Sequence, residues 1–207
     1  MLITVSGMVG SGKTTAVRGI ASFAKARGLV THVHRFQSMP CITLRPRRRA
    51  DQPKSGTAAG RSKEASPTTR WSGYTRKRLG VAAVAVFVAR ILAFQVYRRT
   101  VWKAAEWNVL NRYFYDSLSH YQPRSSLERM YYRAVLALIP RPDLAILVTA
   151  SSATIAARRP AYAKAYIELV GESYRHLASQ VPDLIELSTE TDAAGEGLTT
   201  ILRTHVR

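Results

Sequence analysis

The sequence predicts an α/β fold in which a parallel β-sheet is sandwiched by helices, and three observations lead to it. Short apolar runs alternate along the chain with segments of helical spacing, as in strands joined by crossover helices. A glycine-rich stretch separates the first apolar run from the first helical segment. The chain has 207 residues, 46% of them hydrophobic, which suffices for one core of ordinary domain size. We therefore expect one domain over residues 1–207.

The first part of this pattern is a strand, a helix and a second strand. Residues 2–5 form a short apolar strand. Residues 13–27 carry apolar side chains at helical spacing, and Gly28 is suited to the C′ position that ends a helix. Residues 29–36 again have strand composition. These elements predict the first crossover of a parallel sheet.

The second part begins with an apolar strand at residues 107–110. Ser125 and Glu128 form a capping box that opens a helix. The apolar side chains of that helix lie on one face: Leu127, Met130, Tyr131, Ala134 and Leu138. The remaining predicted elements are a strand at 144–148, a helix at 160–180, a strand at 184–187 and a helix at 193–205.

The positive charge is concentrated in one part of the chain. The formal net charge is +18, and residues 45–103 hold 15 Lys or Arg against two acids. Within that window, residues 46–78 contain no Leu, Ile, Val, Phe or Met, so they cannot bury enough apolar area to offset their ordering entropy. We interpret 46–78 as a mobile basic insert in an otherwise folded domain. The overall composition excludes a wholly disordered chain, a collagen-like fibre and a disulfide-stapled mini-domain.

Two kinds of partner suit this charge. The composition allows nucleic acid or an anionic membrane surface to bind through residues 45–103, and it does not choose between them. The folded remainder has no comparable excess of cations. Both alternatives therefore stay open.

Residues 79–97 form an apolar run that only Arg90 and Gln95 interrupt. As a helix this run would be about 28 Å long, close to the thickness of a bilayer core. A cation in the middle of a membrane span is costly. The rest of the chain is also predicted to form an α/β domain, which would pack such a helix inside. We therefore expect a buried core helix; interfacial contact with a membrane and a transmembrane span are the alternatives.

Cysteine usage bears on the compartment. The single cysteine, Cys41, allows no internal disulfide, which suits a reducing environment. The first residues form a strand and a glycine-rich loop and do not resemble a secretory signal peptide. We expect a cytoplasmic protein.

The glycine-rich stretch at residues 7–14 matches the pattern G-x-x-x-x-G-K-[ST] and lies between a strand and a helix. Such a loop wraps backbone amides around a polyphosphate, and the helix N-terminus adds partial positive charge. Lys13 is expected to reach the β- and γ-phosphates of ATP, and the Thr14 hydroxyl to ligate Mg²⁺. The predicted cofactor-binding residues are Gly7, Gly10, Ser11, Gly12, Lys13, Thr14 and Thr15.

Four segments, in order along the chain, resemble those of thymidylate kinases and of thymidylate kinase-like P-loop nucleotide kinases: residues 7–14, 111–117, 142–144 and 158–159. The phosphate loop is specific only for the P-loop NTPase superfamily, whereas the Asn-Arg-Tyr segment at 111–113 points to this family. The resemblance implies a nucleotide kinase fold. It also implies transfer of the γ-phosphoryl group of Mg-ATP to a small acceptor such as a nucleoside monophosphate.

The resemblance assigns roles to four cations. It makes Lys13 a ligand of the donor and Arg112 a clamp for the acceptor phosphate, a role suited to the planar fork of donors on a guanidinium. Arg158 and Arg159 fall in the lid region, where the family carries catalytic arginines. Phosphoryl transfer depends largely on positioning and on neutralising spread negative charge, so these side chains would supply most of it.

The expected carboxylates are missing. Asn111 and Thr149 stand where related kinases carry acidic residues, and a neutral amide cannot act as a base. Asp116 is the remaining nearby carboxylate, and it is either catalytic or an acid at a helix start. The alternative to a kinase is therefore a nucleotide-binding protein with little or no transfer. The family resemblance also implies a homodimer.

Overall fold

The computed structural model describes residues 1–43, 78–103, 106–192 and 195–205. Its centre is a five-stranded, all-parallel sheet in the order β2-β3-β1-β4-β5. The strands are β1 (Leu2–Gly7), β2 (Thr31–Arg35), β3 (Trp107–Asn111), β4 (Leu144–Thr149) and β5 (Leu184–Ser188). The predicted α/β class is thereby confirmed.

Seven helices connect and cover the described strands: α1 (Lys13–Ala26), α2 (Val81–Val101), α3 (Phe114–Leu118), α4 (Ser126–Leu138), α5 (Ser152–Arg158), α6 (Lys164–Ala178) and α7 (Glu196–His205). A 3₁₀ turn, Phe36–Ser38, follows β2. The sequence analysis did not predict α3 or α5. The helix predicted from residue 160 begins at Lys164, because residues 159–163 form the turn between α5 and α6.

The strand β1 is buried along its whole length between β3 and β4. Its Ile3 lies opposite Val109 on one side and Leu144 on the other. One face of the sheet packs against α1 and α7, and the other packs against α2, α3, α4 and α6. The chain crosses from β1 to β2 on one side while β4 and β5 lie on the other, so the loop after β1 occupies the topological switch point.

The prediction that residues 79–97 form a buried core helix is wrong for most of the helix surface. In α2, only Phe87, Ile91 and Phe94 are buried, and they contact the aromatic core beside Phe36. Val96, on another face, is 62% exposed. The run is apolar around most of its circumference, so its composition could not show that the sheet covers one side only.

The apolar stripe predicted on α4 faces mostly solvent. Leu127, Met130 and Leu138 are each more than half exposed, whereas Tyr132 and Val135 are buried. This helix carries apolar side chains on two faces, so periodicity alone could not select the inner one. One half of the predicted capping box is present, because Ser125 Oγ accepts a hydrogen bond from the backbone N–H of Glu128 at 3.1 Å.

The predicted basic insert at 46–78 lies outside the described residues except for Arg78. The Nε atom of Arg78 contacts Glu128 Oε1 at 2.7 Å, joining the approach to α2 with the start of α4. The second oxygen of Glu128 accepts the backbone N–H of Arg124 at 2.7 Å. Hydrogen bonds from Arg124 and Arg78 lower the pKa of this carboxyl group.

Candidate functional site

The loop between β1 and α1 is closely packed on both of its sides. Gly7 has φ +140°, and a Cβ atom there would collide with the carbonyl oxygen of Val148 on β4. Gly12 has φ +102°, and its Cβ would lie 2.7 Å from Thr189 Cγ2. Any larger residue at either position would have to displace a neighbour as well as adopt a left-handed backbone. The packing therefore explains why the loop is rich in glycine.

A cavity of about 780 Å³ opens over this loop at the carboxyl ends of the strands. Eight of the predicted site residues line it: Gly10, Gly12, Lys13, Thr14, Thr15, Arg112, Arg158 and Arg159. Three do not line it: Gly7, Ser11 and Asp116. The fold thus brings together residues that lie almost 150 positions apart in the sequence.

Lys13 lies in the wall of this cavity with its ammonium group folded back onto the loop. Its Nζ atom donates to the carbonyl oxygens of Gly7 and Met8 at 2.7 Å and 2.5 Å. Burial lowers the pKa of this ammonium to about 8; the Asp116 carboxylate opposes the shift and the Arg112 guanidinium adds to it. The group is therefore still mostly charged at neutral pH.

Arg112 follows directly after β3 and has an unusual backbone. Its φ is +74°, the only left-handed value of a non-glycine residue in the described part of the chain. Its N–H donates to the carbonyl oxygen of Val5 at 2.9 Å, which ties the turn to β1. Strained backbone of this kind persists where the surroundings fix it, and it concentrates at functional sites. Here the turn directs Arg112 into the cavity wall.

Arg158 and Arg159 reach the cavity from the end of α5. Arg158 Nη1 donates to the carbonyl oxygen of Gly10 at 3.1 Å. The Arg159 side chain packs so closely over Gly10 that a Cβ atom on that glycine would lie 3.1 Å from Arg159 Cγ. Both arginines therefore contact the phosphate loop itself.

The start of α5 is held by a residue that the sequence analysis missed. Glu190 Oε1 accepts hydrogen bonds from the backbone N–H of Ser151 at 2.8 Å and from Thr154 Oγ1 at 2.7 Å. Hydrogen bonds from Ser151 and Thr154 lower the pKa of this carboxyl group. Glu190 comes soon after β5, so it links the end of the sheet to the helix that carries Arg158.

Asp116 lies behind the cavity wall and is almost completely buried, with 1% of its surface exposed. Its Oδ1 atom accepts from Tyr174 Oη at 2.7 Å and from the backbone N–H of Gly7 at 3.3 Å. Its Oδ2 atom accepts the backbone N–H of Tyr113 at 2.9 Å, as a cap of α3. Both oxygens are thus engaged by protein donors, as the helix-start alternative predicts, and Asp116 does not line the cavity.

Free carboxylates are absent from the described wall of the cavity. Its one acid, Asp192, accepts the backbone N–H groups of Gly197 and Leu198 at 2.7 Å and 3.2 Å. Asn111 contributes a neutral amide. Over the part of the chain that the structure describes, no three His, Cys, Asp or Glu side chains cluster as metal ligands. The donor set fits a Mg²⁺ ion that arrives on nucleotide phosphates and meets the exposed Thr14 hydroxyl, since Mg²⁺ keeps several non-protein ligands.

Three cavity residues outside the phosphate loop were missed from the sequence: Arg35, Thr189 and Asp192. Arg35 is the last residue of β2, and Thr189 follows the last residue of β5. The rule that ligands bind at the carboxyl ends of parallel strands would have indicated both positions. With Arg35, five cations surround the cavity.

A second cavity, of about 480 Å³, lies between the 3₁₀ turn, α2 and the segment that begins with α3. Gln37 lines it, only two residues beyond Arg35 of the first cavity. Its wall combines the apolar side chain of Phe87 with the polar side chains of Arg90 and Ser117. The Nε atom of Arg90 is buried without a hydrogen-bond partner among the described residues. A small molecule with polar and apolar parts fits such a wall.

The fold and the phosphate loop define the architecture of P-loop nucleotide kinases. The structure is similar to a thymidylate kinase from Candida albicans, with a TM-score of 0.60 and 16% identity over 98% of this chain and 91% of that one. It is also similar to a thymidylate kinase from Ehrlichia chaffeensis, with a TM-score of 0.50 and 13% identity over 99% and 97%. No family model and no curated protein matches the sequence. The resemblance read from the sequence is confirmed at the level of the fold.

Proposed function

We propose that this protein is an ATP-dependent kinase that transfers the γ-phosphoryl group of Mg-ATP to a small phosphorylated acceptor, such as a nucleoside monophosphate. One observation carries the proposal: a phosphate loop and five cations surround a single cavity whose described wall offers no free carboxylate. Such a site suits two phosphorylated ligands, a donor and an acceptor, because the repulsion between their facing phosphates must be offset by cations.

The donor binds over the phosphate loop. Backbone amides at the start of α1 and the positive end of that helix hold the polyphosphate, and Lys13 turns from its carbonyl partners toward the β- and γ-phosphates. The exchange leaves the ammonium with anionic partners in place of two neutral carbonyl groups. The Thr14 hydroxyl would hold the Mg²⁺ that accompanies ATP, and this ion would neutralise charge on the phosphates.

The acceptor is a phosphate rather than a hydroxyl group. A hydroxyl acceptor must lose its proton to a base, and the described wall of the main cavity has neither a free carboxylate nor a histidine. A phosphate monoester has its second pKa near about 6, so at neutral pH its oxygen is already an anionic nucleophile. Arg35 and Arg112, at the carboxyl ends of the neighbouring strands β2 and β3, hold that phosphate.

The rest of the acceptor occupies the second cavity. The chain passes from Arg35 to Gln37, and from Arg112 to Ser117, so each segment lines the main cavity first and the second cavity next. Phe87 supplies an apolar surface for a planar group, and Gln37 and Ser117 supply hydrogen bonds. A nucleoside has both of these properties.

In the reaction, an acceptor phosphate oxygen attacks the γ-phosphorus of ATP. A new P–O bond forms as the bond between the γ-phosphorus and its bridging oxygen breaks, so the products are ADP and the acceptor diphosphate. Arg158 and Arg159 lie across the loop from Lys13 and neutralise the charge that spreads over the transferring group. No proton has to move for this step.

The test is release of ADP from Mg-ATP in the presence of each common nucleoside monophosphate in turn. We expect at least one acceptor to stimulate turnover, and Lys13→Ala to abolish that stimulation. Lys25→Ala is the matched control, because Lys25 lies on the same helix but is exposed away from the cavity. Equal stimulation in wild type and Lys13→Ala, or none with any acceptor, contradicts the proposal.

A second candidate function is nucleotide binding with little or no transfer. Asn111 favours it, because a neutral amide lines the cavity where the family resemblance implies a carboxylate. Its signature is tight binding of ATP without product from any acceptor. The Asn111→Asp variant then identifies the cause of the missing transfer activity. If the variant transfers phosphate, the neutral amide of Asn111 is the cause; if it stays inactive, the cause lies at another residue.

A further inference from the structure

The outward surface of α2 is unusual for a helix on the outside of a protein. We define its outer face as Val81, Ala85, Ala89, Leu92 and Val96, all of which are exposed. These side chains fall on one side of the helix at its 3.6-residue period. None is polar, whereas the solvent face of a surface helix normally carries polar or charged residues. A contiguous apolar patch of this kind marks an interaction site.

The inner face of the same helix is firmly packed. Phe94 is fully buried and contacts Phe36 and Phe114 with ring centroids 5.9 Å and 5.6 Å apart. Phe87 and Ile91 are buried in the same cluster. Although α2 is long and apolar enough to cross a membrane, spanning would strip these aromatic side chains from the core. Its partner must therefore cover the outer face while the helix lies flat on the domain.

Cations lie at both ends of this face, and none is on it. Arg98 and Arg99 occupy the last turn of α2, and Lys103 follows it. At the other end, Arg78 precedes the first turn of α2. The face is thus an apolar strip of about 24 Å between two positive regions.

This charge pattern selects one partner. Two copies of the chain that pair antiparallel through α2 would bring Arg98 and Arg99 of each copy toward Arg78 of the other, in molecules that each carry +18. A nucleic acid would match the cations but leave the apolar strip in water. An anionic bilayer satisfies both, because valine and leucine enter the boundary of the acyl chains while the flanking cations meet anionic headgroups.

We propose that the outer face of α2 docks the protein flat on an anionic lipid bilayer, as a peripheral membrane protein. The apolar strip and the flanking charges supply the two signals that stable attachment requires. This docking is independent of the proposed kinase activity. It is measured without ATP, so failure of either proposal leaves the other standing.

The experiment is cosedimentation of the full chain with phosphatidylcholine vesicles that contain or lack phosphatidylglycerol. We expect binding only to the anionic vesicles, with a partition coefficient that falls about tenfold or more between low and moderate salt. The double variant Leu92→Glu/Val96→Glu should reduce that coefficient about tenfold or more. Val30→Glu/Val33→Glu is the matched control, since these exposed valines lie at and beside the edge strand β2.

A second measurement reports contact directly and does not depend on those variants. Cys41 is the only cysteine, so Cys41→Ser combined with Leu92→Cys allows a polarity-sensitive fluorophore to be attached at position 92. Its emission should shift to the blue on anionic vesicles and become protected from an aqueous quencher, whereas a label on Val33→Cys should not change.

Three outcomes overturn the proposal. The first is equal binding of the Leu92→Glu/Val96→Glu and Val30→Glu/Val33→Glu variants to anionic vesicles. The second is a wild-type dimer in sedimentation equilibrium that becomes a monomer in the Leu92→Glu/Val96→Glu variant, together with a label at position 92 whose emission does not change on vesicles. The third is binding to nucleic acid that displaces the wild type from vesicles and is unaffected by substitutions on the outer face.

Discussion

The phenol of Tyr174 donates a hydrogen bond of 2.7 Å to Asp116 Oδ1 in the interior of the protein. Asp116 also accepts the N–H of Gly7 at the start of the phosphate loop and that of Tyr113, the residue after Arg112. One buried carboxylate therefore joins α6, the phosphate loop and the Arg112 turn. Three segments that carry or support the candidate site meet at this group.

Tyr174→Phe should destabilise the protein by about 1–3 kcal/mol, because it removes a buried hydrogen bond to a charged acceptor. Burial and the nearby Asp116 carboxylate raise the pKa of Tyr174, so its phenol stays a donor over the whole working range of pH. The measurement is denaturant unfolding. Tyr131→Phe is the control, since Tyr131 is only partly buried. Equal losses of unfolding free energy in the two variants would show that the hydrogen bond to Asp116 does not stabilise the fold more than the hydroxyl of a partly buried tyrosine does.

Gly12→Ala should cost about 1–3 kcal/mol of stability and weaken ATP binding about tenfold or more. The new Cβ would require a left-handed backbone and would also press on the Thr189 methyl group, 2.7 Å away. Gly28→Ala separates these causes, because Gly28 has φ +70° but nothing within 4 Å of a Cβ. ATP titration of both variants is the measurement, and a comparable loss of affinity in Gly28→Ala would refute the packing explanation.

Nucleotide affinity should fall as pH rises above about 8, approaching tenfold per pH unit, because the Lys13 ammonium loses its proton there. Stability should respond with the opposite sign. Between pH 8 and 10.5 the folded state binds fewer protons at Lys13 than the unfolded state, so this group's contribution to stability rises with pH. Fluorescent ATP-analogue titrations and unfolding curves over this range measure the two effects. An affinity that stays flat up to pH 10 would mean that Lys13 does not contact the phosphates.

Arg112→Ala and Arg158→Ala should affect different kinetic constants. Loss of Arg112 should raise the acceptor KM about 10–100-fold, because it removes a ground-state contact to the acceptor phosphate. Loss of Arg158 should lower kcat about 100-fold or more, because that cation acts on the transferring group. Steady-state kinetics with the best acceptor separates the two. Lys164→Ala provides the control, since Lys164 is exposed and its ion pair with Glu168 lies at the surface; a similar effect there would indicate a nonspecific loss of charge.

The sequence predicted the site best where a residue's role is local. The phosphate loop needs only its own glycines, lysine and threonine in the right order, and that order can be read directly. Arg35 and Glu190 have no local signature, because they act only through the sheet order that brings β2 and β5 beside the loop. Asp116 was ambiguous for the same reason, since its partner Tyr174 is 58 residues away.

The fold likewise has features that local sequence predicts and features that depend on long-range contacts. Strand and helix types followed from periodicity, but the inner faces of α2 and α4 did not. Val96 and Leu127 look like core residues in the sequence, and both are exposed because the sheet covers only one side of each helix. Which side that is depends on long-range contacts, such as that between Phe94 and Phe36, which a local pattern does not contain.

Phosphorus NMR of Mg-ATP with the protein and a nucleoside monophosphate acceptor tests the central claim most directly, because it identifies the bond that forms. We predict that the ATP γ-phosphate signal decays while signals of ADP and of the acceptor diphosphate grow at equal rates. Lys13→Ala should show neither change, and Lys25→Ala should behave as wild type. Growth of inorganic phosphate alone, or an unchanged ATP spectrum with every acceptor, would contradict the account.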